Sequence, residues 1–195
     1  MDTFLAELHR SLQQRLPHGS PWHYRIAAES NVAGMHLGIF VEPFLTYILS
    51  GQKTVESRFS ARQVPPFGCV CAGDIILLKR SGGSIIGLCQ VSNVWMYRLN
   101  ASTWNGIRSE FAEAMCAQDP EFWQMRSRAS YATLMRLADV VPIAPLAYPK
   151  RDRRGWVVIR STIDQLSFSD ALSPMDDCGN RQPQVVRTTP GVTVA

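Results

Sequence analysis

Two apolar strand patterns joined by Ser81-Gly82-Gly83 constrain the fold of this chain more than anything else in it. Residues 74–80 place Ile75, Ile76, Leu77 and Leu78 in succession after a Gly73-Asp74 turn, and 84–97 read as a longer strand with a bulge or bend near Gly87. A glycine-rich link this short makes the pair an antiparallel hairpin. Further strand patterns fall at 35–41, 53–59, 131–141 and 155–160. Strands in this number with few helices between them predict an α+β chain built on a small closed or half-closed β-barrel.

The helical patterns decorate that barrel. Residues 3–16 carry Phe4, Leu5, Leu8, Leu12 and Leu16 at helical spacing behind Asp2 or Thr3 as cap, and Pro17 to Pro21 ends the run. Residues 22–28 read either way, and Glu29-Ser30-Asn31 reads as a turn. We therefore expect residues 1–33 to be a helical extension packed on the main domain through its leucines, with partner binding as the alternative. A short helix is predicted from Glu42-Pro43 to Gly51. Another runs over 103–117, capped by Ser102 or Thr103, and a third over 120–128 after Asp119-Pro120. Residues 142–154, with three prolines, read as irregular. The main domain is placed at 34–162. Residues 163–195 form a C-terminal extension that loses its apolar pattern from about Ala171 and is expected to be irregular or disordered.

Composition narrows the function classes. The chain has 195 residues, enough for one domain with a real core. No apolar run approaches the roughly 20 residues that span a bilayer. The first residues, Met1 to Glu7, have an acid where a signal peptide has bases, so a soluble, cytoplasmic protein is expected, with no membrane partner. The five cysteines, an odd count, point to free thiols. Cys69-Val70-Cys71 is too tight for the usual zinc spacing, and all histidines lie within the first 36 residues. Neither a metal nor a cofactor is expected. The net charge of +4 is mild, but only Lys53, Lys79 and Lys150 are lysines and the other 17 bases are arginines. Arginine suits phosphate and stacking, although a codon bias would produce the same excess.

The candidate site is Gly51-Gln52-Lys53-Thr54-Val55-Glu56-Ser57-Arg58-Phe59. On a strand, Thr54, Glu56 and Arg58 share one face, with Lys53, Val55, Ser57 and Phe59 on the other. Such a polar face is either a solvated edge with a weak ion pair or the wall of a binding cleft with Lys53 at its mouth. A second cluster, Lys150-Arg151-Asp152-Arg153-Arg154, stands directly before Gly155-Trp156. It is either a solvated basic loop or a phosphate contact beside a stacking surface.

These residues carry a resemblance. Gly51, Lys53, Glu56 and Arg58, in the order Gly-x-Lys-x-x-Glu-x-Arg after a short helix, resemble the signature of the ASCH domain. Gly73-Asp74 before an apolar strand, the Gly82-Gly83 hairpin and the closing Arg153…Trp156 strand agree with it, so the resemblance covers about residues 35–160. It implies a PUA-like β-barrel with a cleft beside the first helix of the domain, open to RNA, DNA, a nucleotide or a modified nucleoside. The implied binding set is Lys53, Thr54, Glu56, Arg58, Lys79, Arg153 and Arg154, with Trp156 or Tyr131 as the aromatic surface.

The resemblance also implies a possible chemistry. One bacterial branch of the family hydrolyses the acetyl amide of N4-acetylcytidine, using the motif lysine and a threonine three residues beyond it. Here Lys53 matches the lysine and Glu56 occupies the threonine position, so Lys53 and Glu56 are the catalytic candidates. Glu110, Glu113 and Glu121 are candidates for that branch's further glutamate. Another branch is nuclease-like. The expectation is thus a nucleic-acid-binding protein, RNA first, with hydrolysis of a modified nucleoside or nuclease action as the alternative.

Overall fold

The computed structural model of the chain describes residues 3–27, 33–148 and 154–161. The cap at Asp2, the turn at 29–31, the bases Lys150 to Arg153 and the C-terminal extension lie outside the described residues.

Helix α1 (Thr3–Gln13) and the short α2 (Trp22–Arg25) precede strand β1 (Met35–Phe40). Helix α3 (Phe44–Leu49) leads into β2 (Val55–Ser60), and β3 (Ile75–Arg80) and β4 (Ile85–Arg98) form the expected hairpin. Helices α4 (Ala101–Phe111) and α5 (Pro120–Gln124) follow, then β5 (Tyr131–Leu146) and β6 (Trp156–Arg160). The strands make one six-stranded sheet in the order β2-β5-β4-β3-β1-β6. Among the described strands only β1 and β3 pair in parallel, in the register Met35↔Ile75 and Leu37↔Leu77. The bend expected near Gly87 is a register shift between Ile85 and Gly87.

Strand β3 is apolar from Ile75 to Leu78 because that stretch is covered on both faces, the circumstance in which alternation disappears. Ile75 and Leu77 pack under Leu8, Leu12, Leu16, Trp22 and Ile26 of the N-terminal segment. Ile76 and Leu78 face the barrel interior with Leu45 and Ile48 of α3, Val91, Met135 and Trp156. The N-terminal leucines thus share a core with β1, β3 and β4. A third cluster seats α4 and α5 against Val55, Ala132 and Leu134 through Phe111, Met115, Phe122 and Trp123.

Several details differ from the sequence reading: α4 spans Ala101–Phe111 rather than 103–117, and α5 ends at Gln124 rather than 128. The α4 cap is Asn100, whose side chain accepts from Thr103 N, with the Thr103 hydroxyl accepting from Asn100 N in return. Strand β5 continues through Pro142 to Leu146, where irregular residues were expected. Pro142 pairs with Gly87 beside the register shift, the kind of place where a strand tolerates proline. Strand β2 begins at Val55 rather than Lys53.

Candidate functional site

The late start of β2 decides how the polar stretch is used. Helix α3 ends at Leu49 with Ser50 as its C-cap, Gly51 turns the chain with φ +76, and Lys53 N donates to Tyr47 O at 3.0 Å. Lys53 and Thr54 therefore precede the strand, and its two-residue alternation does not govern them. The expected shared face of Thr54, Glu56 and Arg58 is corrected accordingly. Thr54 is exposed, with its backbone bonded to Ala114 O and Leu137 N. Lys53 turns inward instead and joins Glu56.

Lys53 is only 3% exposed. Its Nζ donates to Val55 O at 2.8 Å and Met115 O at 2.9 Å, and lies 3.5 Å from Glu56 Oε2. An ammonium has three protons, so this set accounts for all of them. Burial pulls Lys53 below the ordinary lysine range, and Glu56 offsets part of that. Glu56 is itself buried, and its Oε1 lies 2.8 Å from Arg58 Nε. A carboxylate offers about four lone-pair positions, so Glu56 keeps acceptor capacity beyond these two cations.

Arg58 does more than pair with Glu56. Strands β2 and β6 are the two edges of the sheet, and a side chain from one reaches the other. Arg58 Nη1 donates to Gly155 O, at the entry to β6, at 3.2 Å, and Nη2 donates to Ile39 O of β1 at 3.0 Å. Its guanidinium lies over Phe40 at 4.9 Å and Trp156 at 5.2 Å. Gly38 makes room for these rings, since a Cβ there would come within 2.6 Å of Phe40 and 3.2 Å of Trp156.

Trp156 is fixed from behind by a polar chain that the sequence reading missed. Its indole Nε1 donates to His36 Nδ1 at 3.2 Å, and His36 Nε2 lies 2.9 Å from Asp74 Oδ2. The indole nitrogen can only donate, so Nδ1 accepts and the ring proton sits on Nε2, facing the carboxylate. Asp74 also accepts from Gly34 N at 2.7 Å and Cys71 N at 2.8 Å. Asp74, His36, Trp156, Arg58, Glu56 and Lys53 thus form one connected series from the barrel interior to the cleft. A lone histidine inside an apolar strand pattern, and the acid opening the next strand, were the available signals.

Arg58 divides the opening between the sheet edges into two hollows. The Lys53 hollow, about 110 Å³, is lined by Ile39, Phe40, Val41, Phe44, Lys53, Glu56, Ser57, Arg58, Phe122 and Arg126. The Phe67 hollow, about 170 Å³, is bounded by Arg58, Phe59, Ser60, Val64, Pro65, Pro66, Phe67, Thr133, Gly155 and Trp156. The first has three cations against one carboxylate, an excess of positive charge that favours an anionic ligand. Arg126, not singled out in the sequence, lies 3.6 Å over the Phe122 ring and donates to Phe122 O at 2.7 Å.

The structure gathers Lys53, Glu56, Arg58 and Trp156 around the two hollows. Lys79 donates to the hairpin carbonyls of Arg80 and Gly83 and lines neither hollow. Tyr131 lines neither hollow, its ring 5.1 Å from that of Phe67. Arg154 is exposed beside Gly155, and Arg153 lies outside the described residues. Glu110, Glu113 and Glu121 are exposed and line neither hollow.

No family model and no curated protein matches this sequence. Solved structures do match. The crystal structure of ASCH from Zymomonas mobilis superposes with a TM-score of 0.53 at 18% identity, covering 71% of this chain and 94% of that one. The chain has the ASCH fold. Two point mutants of the same Zymomonas protein match with TM-scores of 0.53 and 0.52 at 18% identity, each over 71% of this chain and over 97% and 95% of theirs. At this identity the likeness concerns the ASCH fold, a mixed α+β half-barrel, and the residues of the cleft have to speak for themselves. No helix among the described residues is long and apolar enough to cross a membrane.

Proposed function

We propose that the opening bridged by Arg58 binds nucleic acid, RNA first, or a nucleotide. The observation that carries this is the convergence of Lys53, Glu56, Arg58 and Arg126 on one hollow with an excess of positive charge. In this reading Glu56 accepts from an amino or imino N–H of a base, the contact its remaining lone pairs allow. Arg58 and Arg126 meet phosphate, while Lys53 holds the Glu56 carboxylate in place rather than touching the ligand. Binding should weaken as salt rises, because neutralised phosphates release counterions.

Titrating a single-stranded RNA, a DNA duplex and an RNA hairpin at two salt concentrations tests this. We expect the single strand to bind, and Arg58→Ala with Arg126→Ala to weaken binding and flatten its salt dependence. Absence of binding to all three, or binding indifferent to the double substitution, refutes the proposal.

Hydrolysis of a modified nucleoside is the second reading, favoured by the burial that pulls Lys53 down beside a carboxylate. Against it, the Lys53 protons already face two carbonyls and Glu56. Incubation with N4-acetylcytidine and mass detection of cytidine decides: product lost on Lys53→Ala supports this reading, and absence of product removes it.

A further inference from the structure

The Phe67 hollow is not used by the function proposed above, and Arg58 belongs to both hollows. We infer that the two hollows are adjacent nucleotide subsites, one base in each, with the connecting phosphodiester at Arg58. The inference rests on the reading of the cleft as a nucleic-acid site and specifies its ligand as a single-stranded step of two nucleotides.

Three observations carry it. The first is size. At about 110 and 170 Å³, each hollow falls below the roughly 300–1,000 Å³ of pockets that enclose a drug-sized ligand. Each suits one ring system, and neither suits a whole nucleotide. The second is the donor count on Arg58. The two terminal nitrogens carry four N–H groups. One on Nη1 goes to Gly155 O and one on Nη2 goes to Ile39 O, which leaves one on each. A guanidinium at the partition with two N–H groups still to place fits a phosphate lying between two bases.

The third is the lining. The Phe67 hollow has flat apolar walls in Pro65, Pro66, Phe67 and Trp156 and hydroxyls at Ser60 and Thr133, with Arg58 as its only cation among the described residues. That is a surface for a base edge and face, not for a second phosphate. Val64 at its rim and Val41 at the rim of the Lys53 hollow are among the few large apolar side chains left exposed, at 45% and 56%. A strand of bases laid along the opening covers both. A duplex cannot enter in this way, because its bases are stacked and paired.

The test compares nucleoside 5′-monophosphates with the corresponding dinucleoside monophosphates, ribo and deoxyribo, by calorimetry on the full chain. We expect the dinucleotide to bind at least about tenfold tighter. Phe67→Ala should remove that gain. Val64→Glu, at an exposed position where folding is not at stake, should remove it equally by placing a negative charge at the rim. Equal affinity of mono- and dinucleotide for the unsubstituted protein, or a dinucleotide gain that survives both substitutions, overturns the second subsite while the cleft itself stands. Absence of binding by either ligand overturns the cleft as well.

Discussion

Two buried histidines show how differently this chain treats polar groups in its interior. His36, beneath the ligand opening, is fully enclosed and has both ring nitrogens paired, one to Trp156 and one to Asp74. His9, on the buried face of the N-terminal helix α1, is 3% exposed, and neither of its ring nitrogens has a partner among the described residues. Its charged neighbour is Arg160, which donates to Ala27 O and Ala33 O at 3.1 Å each while its Nη2 has no partner among the described residues. A buried polar group costs stability unless it is hydrogen-bonded. His36 meets that condition and, among the described residues, His9 does not. The polar interior is therefore organised where it positions a site and tolerated where it only fills space.

Substitution should expose the difference, most strongly at Asp74. Asp74→Ala leaves Gly34 N, Cys71 N and His36 Nε2 without their acceptor, so we expect a loss of about 3–5 kcal/mol in urea unfolding. His36→Phe leaves the indole N–H of Trp156 unpaired and should cost about 1–3 kcal/mol. It should also weaken single-stranded RNA binding, because Trp156 underlies Arg58. A His36→Phe protein that binds RNA as well as the unsubstituted chain would show that the series from Asp74 to Arg58 is structural only.

His9→Leu should do the reverse: binding unchanged and stability near pH 7 raised by about 1 kcal/mol, since it removes an unsatisfied polar group. Its pH dependence is the finer test. Burial, with Arg160 nearby, holds the His9 imidazole below its ordinary range in the folded chain. A group depressed on folding contributes fully above its unfolded value and loses that contribution as pH falls toward the folded one. For His9 the loss sets in below about 6.5. Tm measured from pH 7.5 to 5 should fall less steeply for His9→Leu than for the unsubstituted chain. Parallel curves would mean that His9 is solvated after all.

Much of the frame could be read from the residues, and the reasons are local. The β3–β4 hairpin announced itself because a glycine link joins two runs whose burial leaves no polar alternation to confuse. Helix α3 was legible through Pro43 at its start and Gly51 past its end. The site was only half legible. The signature residues do meet, but the assignment of faces failed because alternation was extended two residues too far upstream, to Lys53 and Thr54. Arg126 and the His36–Asp74 pair were out of reach for another reason. Their roles depend on which strands and helices lie side by side, a property of the sheet order and of the parallel β1–β3 register, neither of which is written in any single stretch of sequence.

One consequence follows from the way the sheet closes. Neighbouring strands are fastened by rows of backbone bonds, whereas across the gap, among the described residues, β2 holds the entry to β6 with one arm of the Arg58 guanidinium and β1 with the other. A fastening made by a single side chain has a reach but no register. It works as a latch rather than a seam, and the same group that holds the doorway is the one a negatively charged visitor meets first.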